Sequence, residues 1–72
     1  MIKEIYKTGS KTVQQDWYMA RVKNSEGLRV DIPFLWNHIG RFASLESSVS
    51  NTILKKGGIQ PSKFIDAVEG ML

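Results

Sequence analysis

The chain contains one histidine, His38, and no cysteine, so few of its residues are suited to nucleophilic, acid–base or metal chemistry. A zinc-type site needs several ligands at close helical or hairpin spacing, and no carboxylate stands three or four residues from His38. A Ser-His-Asp arrangement can be drawn from the hydroxyl residues and Asp16, Asp31 or Asp66, but no nucleophile motif flanks any of them. Gly57-Gly58 lacks the spacing and the Lys-Ser/Thr ending of a phosphate loop and reads as a helix stop. The expectation is a protein that is not an enzyme and has no catalytic residue, metal or cofactor, with His38 in a loop beside Trp36. A small ribonuclease using His38 for proton transfer is the remaining enzymatic alternative.

Binding chemistry is better represented. Trp17, Met19, Arg21 and Lys23 share one face of an alternating run, and Arg29 with Asp31 falls on the matching face of the next run. Cations beside an aromatic ring can neutralise phosphates and pack on sugars or bases. Arg21, Lys23, Arg29, Trp17 and Arg41 are therefore the candidate nucleic-acid contacts. The alternative is that Trp17 and Met19 pack under the segment from Phe34 to Phe42, leaving the cations as a solvated rim.

The net charge of +3 is unevenly distributed. Lys3, Lys7, Lys11, Arg21, Lys23, Arg29 and Arg41 outnumber Glu4, Asp16, Glu26 and Asp31 in residues 1–41, whereas Lys55, Lys56 and Lys63 balance Glu46, Asp66 and Glu69 in residues 42–72. A one-sided basic surface suits nucleic acid or an acidic protein partner.

The elements that must position these residues follow from periodicity. Lys3 to Lys7 alternates, with Ile2, Glu4 and Tyr6 on one side and Lys3, Ile5 and Lys7 on the other; Thr8-Gly9-Ser10-Lys11 then supplies turn chemistry. Asp16 to Lys23 predicts a second strand with Tyr18, Ala20 and Val22 inward. Asn24-Ser25-Glu26-Gly27 is a polar turn with Gly27 free to take positive φ, and Leu28, Val30 and Ile32 face inward on a third strand, closing a β-hairpin. Pro33 ends that strand or marks an edge. Residues 34–42 are open to three readings: a short fourth strand, a helical turn, or an apolar loop closing the core.

Ser44 is a candidate N-cap, with Glu46 in the first helical turn and Leu45, Val49 and Ile53 as the apolar stripe, Thr52 and Leu54 lying beside it. Ser47, Ser48, Ser50 and Asn51 are poor helix formers, so this helix depends on tertiary packing. Lys55-Lys56 followed by Gly57-Gly58 ends it. A second helix starts near Pro61-Ser62 and buries Phe64, Ile65, Val68 and Leu72. The predicted fold is α+β, a small antiparallel three-stranded sheet followed by two helices (β-β-β-α-α), in a single domain spanning residues 1–72.

At 72 residues the chain is close to the lower limit for a self-sufficient core, and without cysteine no disulfide can supplement it. A homodimer, or ordering on a partner, is a further source of stability. The alternation in Met1 to Lys7 argues against a secretory leader, and no run reaches the roughly 20 apolar residues of a membrane span. A cytoplasmic protein with no membrane contact is expected.

Trp17 with Ala20 and Arg21 on a central strand, Gly27 in the turn, and the run Ile39-Gly40-Arg41-Phe42-x-Ser44-x-Glu46 resemble the AP2 and integrase amino-terminal class of DNA-binding domain. That resemblance implies a sheet entering the major groove, with Arg21, Lys23 and Arg29 as DNA contacts. Thr52 to Ile59 with Phe64 is similar to the closing helix of HicA-type ribonuclease toxins; Gly9-Ser10 is followed by Lys11 where that family has its catalytic histidine, so no catalytic role carries over.

Two functions compete. One is a DNA-binding module of a phage or other mobile element. The other is a small phage-type inhibitor of a host protein, anti-defence or anti-CRISPR-like, whose interface residues would be Trp17, Phe34, Trp36 and Phe42, because aromatic residues dominate interface energetics.

Overall fold

The computed structural model describes residues 2–23, 26–27 and 29–72. Four antiparallel strands come first: β1 (Ile2–Ser10), β2 (Gln15–Lys23), β3 (Arg29–Asn37) and β4 (Phe42–Ser44). Two helices follow, α1 (Ser48–Lys56) and α2 (Pro61–Met71). The strands lie side by side in chain order, a meander, with both helices on one face. The α+β class and the two closing helices agree with the sequence pattern, but the sheet has four strands rather than three.

The β2–β3 ladder runs without a shift from Gln15↔Asn37 to Lys23↔Arg29. Alternation then sends Tyr18, Ala20 and Val22 with Val30, Ile32, Phe34 and Trp36 to the helix side. The expected inward placement of Leu28, and the turn residues Asn24 and Ser25, lie outside the described residues; Gly27 takes a φ of 84°. Against this face, which Ala43 of β4 extends beside Trp36, pack Leu54 of α1 and Phe64 and Val68 of α2. Phe34 is stacked with Tyr18 at 5.7 Å and meets Phe64 edge-on at 5.9 Å, contacts worth about 0.5–1.5 kcal/mol each beyond burial.

Strand β3 continues through Pro33. Its partner β4 reaches only Leu35 to Asn37, so no ladder bond on the outer edge is lost at the proline. Helix α1 covers that edge instead, and the Ser50 hydroxyl, 1% exposed, donates to the Pro33 carbonyl at 3.4 Å. After Asn37 its side-chain oxygen accepts from the amides of Ile39 (3.1 Å) and Gly40 (2.7 Å). Arg41, in the left-handed region at φ 58°, reverses the chain into β4. A side chain on Gly40 would lie 2.6 Å from the Phe42 ring, so only glycine lets Phe42 fold over the turn.

Strand β1 departs from simple alternation. Ile2 pairs with Val22 and Ile5 with Ala20, so both isoleucines face the helices, and a register shift between Ile2 and Glu4 absorbs the extra residue. Thr8, Gly9 and Ser10 belong to this strand rather than to a turn. The turn lies at residues 11–14, where the Thr12 hydroxyl accepts from the amides of Gln14 and Gln15.

Helix α1 begins later than its sequence suggests. Ser44 pairs with Leu35 in β4, because Ala43 beside it must reach the core next to Trp36. Ser47 is the N-cap, its hydroxyl accepting from the Val49 amide at 3.1 Å, and Glu46 lies outside the helix. The buried side is therefore Ser50 and Leu54, with Ile53 beside them, and Val49 is 62% exposed. The end is as expected. Gly58 takes a φ of 75°, its amide bonds to Lys55 O, and the Ile59 amide reaches back to Leu54 O, a Schellman motif. Helix α2 buries Phe64 and Val68, with Ile65 and Leu72 against the core.

Candidate functional site

The sheet face turned away from the helices carries Glu4 and Tyr6 from β1, Trp17, Met19, Arg21 and Lys23 from β2, and Arg29, Asp31, Pro33 and Leu35 from β3. At the end where β2 hands over to β3, Lys3, Glu4, Arg21, Lys23, Gly27 and Arg29 line an open cleft of about 490 Å³. Three of the residues expected to act together, Arg21, Lys23 and Arg29, thus share one surface.

Their electrostatic states differ. Arg21 is held between two acids, with Nη1 3.3 Å from Glu4 Oε2 and Nε 3.9 Å from Asp31 Oδ1. Its guanidinium also sits 5.5 Å from the centre of the Tyr6 ring. The 3.9 Å separation is too long for a hydrogen bond, and Nε is buried without one. Lys3, Lys23 and Arg29 form no ion pair among the described residues. Lys23 and Arg29 are direct cross-strand partners. Like charges so placed oppose sheet formation, and a bound anion would relieve that repulsion. Lys3 joins them because the register shift in β1 falls between Ile2 and Glu4, a displacement that alternation in the sequence does not reveal.

Trp17 lies half-buried on the same face, farther along β2, opposite Leu35 on one side and Gly9 on the other. The Lys11 ammonium stands 5.8 Å from its ring centre and 3.5 Å from Glu46 Oε2. Leu35, fully buried, lies outside the main core cluster and forms the floor of this part of the face.

Arg41 does not join the cleft. Its guanidinium is 5.4 Å from the Trp36 ring centre, and Nη2 donates to Leu72 O at 2.7 Å. Trp36 points to the helix side, so Arg41 ties the β3–β4 turn to the end of α2. Beside it, the Ala43 amide donates to Glu69 Oε2 at 2.9 Å.

Two of the aromatic residues expected at a protein interface are core residues: Phe34 is fully buried and Trp36 is 5% exposed. Alternation simply continues from Val30 and Ile32 through Pro33, a signal present in the sequence once the strand is allowed to pass the proline. Phe42 is 47% exposed and, with Val13 and Ile39, marks the sheet end opposite the cleft.

His38 lies in the β3–β4 turn. Its amide donates to Gln14 O, and its Nε2 is 2.9 Å from Val13 O, so it fastens two hairpin turns together. Among the described residues no group of His, Asp and Glu is placed to hold a metal ion. Among the described residues no helix is long and apolar enough to cross a membrane. Comparison with protein families, curated proteins and solved structures finds no match to this chain.

Proposed function

We propose that this chain is a non-catalytic nucleic-acid-binding module that grips the phosphate backbone with the basic end of its open sheet face. The observation that carries this reading is the convergence of Lys3, Lys23 and Arg29 on one cleft, with no ion-pair partner among the described residues and two of them in direct cross-strand apposition. Backbone phosphates supply the missing negative charge. Arg21 serves as a charged strut that spaces the cleft, because Glu4 and Asp31 already engage it. The resemblance of the strand–turn–strand segment to the AP2 and integrase amino-terminal class agrees with use of a sheet face, although this chain has a fourth strand and a second helix.

The test is binding of a labelled oligonucleotide at low salt to the wild-type chain and to the double variant Lys23→Gln/Arg29→Gln. Loss of at least about tenfold in affinity is expected, since each charged contact contributes on the order of 1 kcal/mol or more. Absence of binding by the wild-type chain, or equal binding by the variant, would overturn the reading.

A second reading, an inhibitor or other protein-binding module, is favoured by one observation: Val13 (89% exposed) and Ile39 (64%) in neighbouring turns, and Phe42 (47%) at the start of β4, are exposed at one end of the sheet. Its anchors would be these three residues rather than Phe34 and Trp36. A partner protein released by Ile39→Ser/Phe42→Ser, but not by Lys23→Gln/Arg29→Gln, would establish it.

A further inference from the structure

The open face carries rings as well as charge. Tyr6, opposite Met19, and Trp17, opposite Gly9, lie on the same side as Lys23 and Arg29. Both rings are half-buried, and each has a cation on it, Arg21 for Tyr6 and Lys11 for Trp17. Gly9, opposite Trp17, contributes no side chain there, and a methyl group built on it would meet nothing within 4 Å. From Lys23 to Trp17 along β2 is roughly 20 Å at a rise of about 3.3 Å per residue, with Tyr6 standing between them in register. The face is thus a track that begins at a cationic cleft and continues over two aromatic rings.

The charge pattern selects the form of nucleic acid. A duplex presents phosphates on both rims of a major groove about 12 Å wide, so a face that grips both rims carries cations in two separated rows. Here Lys7 lies on the helix side, opposite Tyr18, while Lys11 is tied to Glu46 and Arg21 to Glu4 and Asp31. The cations left on this face form one cluster, Lys3, Lys23 and Arg29, at one end of the track. One cluster followed by two half-buried rings, whose stacked cations a base would displace or join, fits one backbone whose bases are free to stack.

We propose that this face takes single-stranded nucleic acid in preference to duplex, with the cleft holding phosphates and Tyr6 and then Trp17 serving as stacking platforms. The proposal rests on the nucleic-acid reading above, departs from the major-groove docking that the family resemblance implies, and adds the strand state and the stacking residues.

The test compares an oligothymidylate of about 8 nucleotides, within the range of site sizes such surfaces use, with a mixed-sequence duplex carrying the same number of phosphates. Affinity and indole fluorescence are followed together. The single strand is expected to bind at least about tenfold more tightly and to quench the emission, as base–indole stacking does. The quench should disappear in Trp17→Phe, which keeps a ring and most of the affinity. Trp17→Ala should lower affinity by between about fivefold and a hundredfold. Because Trp17 is also the cross-strand neighbour of the buried Leu35, Tyr6→Ala on the outer strand provides an independent variant, with a loss in the same range expected. Equal or tighter duplex binding, or single-strand binding with no change in indole emission, would overturn the proposal and leave the nucleic-acid reading standing. Failure of both probes to bind would remove the two together.

Discussion

Lys23 and Arg29 face each other directly across the β2–β3 ladder, on the side of the sheet that the helices leave open. Neither forms an ion pair among the described residues, and Lys3 approaches them from the bulged edge strand. Fold stability alone would favour opposite charges at such a pair. The arrangement therefore sets stability against binding in a way that substitution can separate.

Arg29→Glu should stabilise the fold and abolish binding. An opposite-charge pair with Lys23 replaces a repulsive one, a gain of about 0.2–1 kcal/mol, measurable as a higher urea midpoint with an unchanged slope. Oligonucleotide affinity should fall at the same time by well over an order of magnitude. A variant less stable than the wild type would show that Lys23 and Arg29 do not repel.

Leu35→Ala should be as damaging as a substitution in the main core. Leu35 is fully buried although it lies on the open face, as the cross-strand neighbour of Trp17. The expected cost is about 2–5 kcal/mol, read from urea denaturation, against less than about 0.5 kcal/mol if the open face were merely a solvated surface.

Helix α1 provides a paired control on which of its sides is buried. Leu54→Ala removes a fully buried side chain and should cost about 2–5 kcal/mol. Val49→Ser, at a position 62% exposed, should change stability by no more than about 0.5 kcal/mol. Comparable losses at the two positions would restore the stripe of Leu45, Val49 and Ile53 that spacing alone suggests.

The parts of this fold that could be read from sequence are those where one physical rule acts without a competitor. The central hairpin alternates cleanly from Trp17 to Val22 and from Arg29 to Ile32, so its two faces, and with them the cationic surface, were legible. Phe64 and Val68, at helical spacing after Pro61, were equally plain. Where two rules met, the sequence was ambiguous. Pro33 usually stops a strand, yet it is harmless on an edge that α1 covers, and this placed Phe34 and Trp36 in the core. Ser44 and Ser47 are equally good caps, and the choice fell to Ala43, whose burial beside Trp36 keeps Ser44 in the sheet. The register shifts of β1, which bring Lys3 to the cleft and leave Tyr6 on the open face, arise from pairing with β2 and have no local sequence signature.

The most direct measurement is the dependence of oligonucleotide affinity on salt, for the wild-type chain and for Lys23→Gln and Arg29→Gln separately. Each phosphate neutralised on a single strand contributes about −0.7 to the log–log slope. Lys3, Lys23 and Arg29, unpaired among the described residues, therefore predict a wild-type slope of about −2, which each substitution should flatten by about 0.7. Affinity that does not change with salt, or a slope that survives both substitutions, would contradict the account.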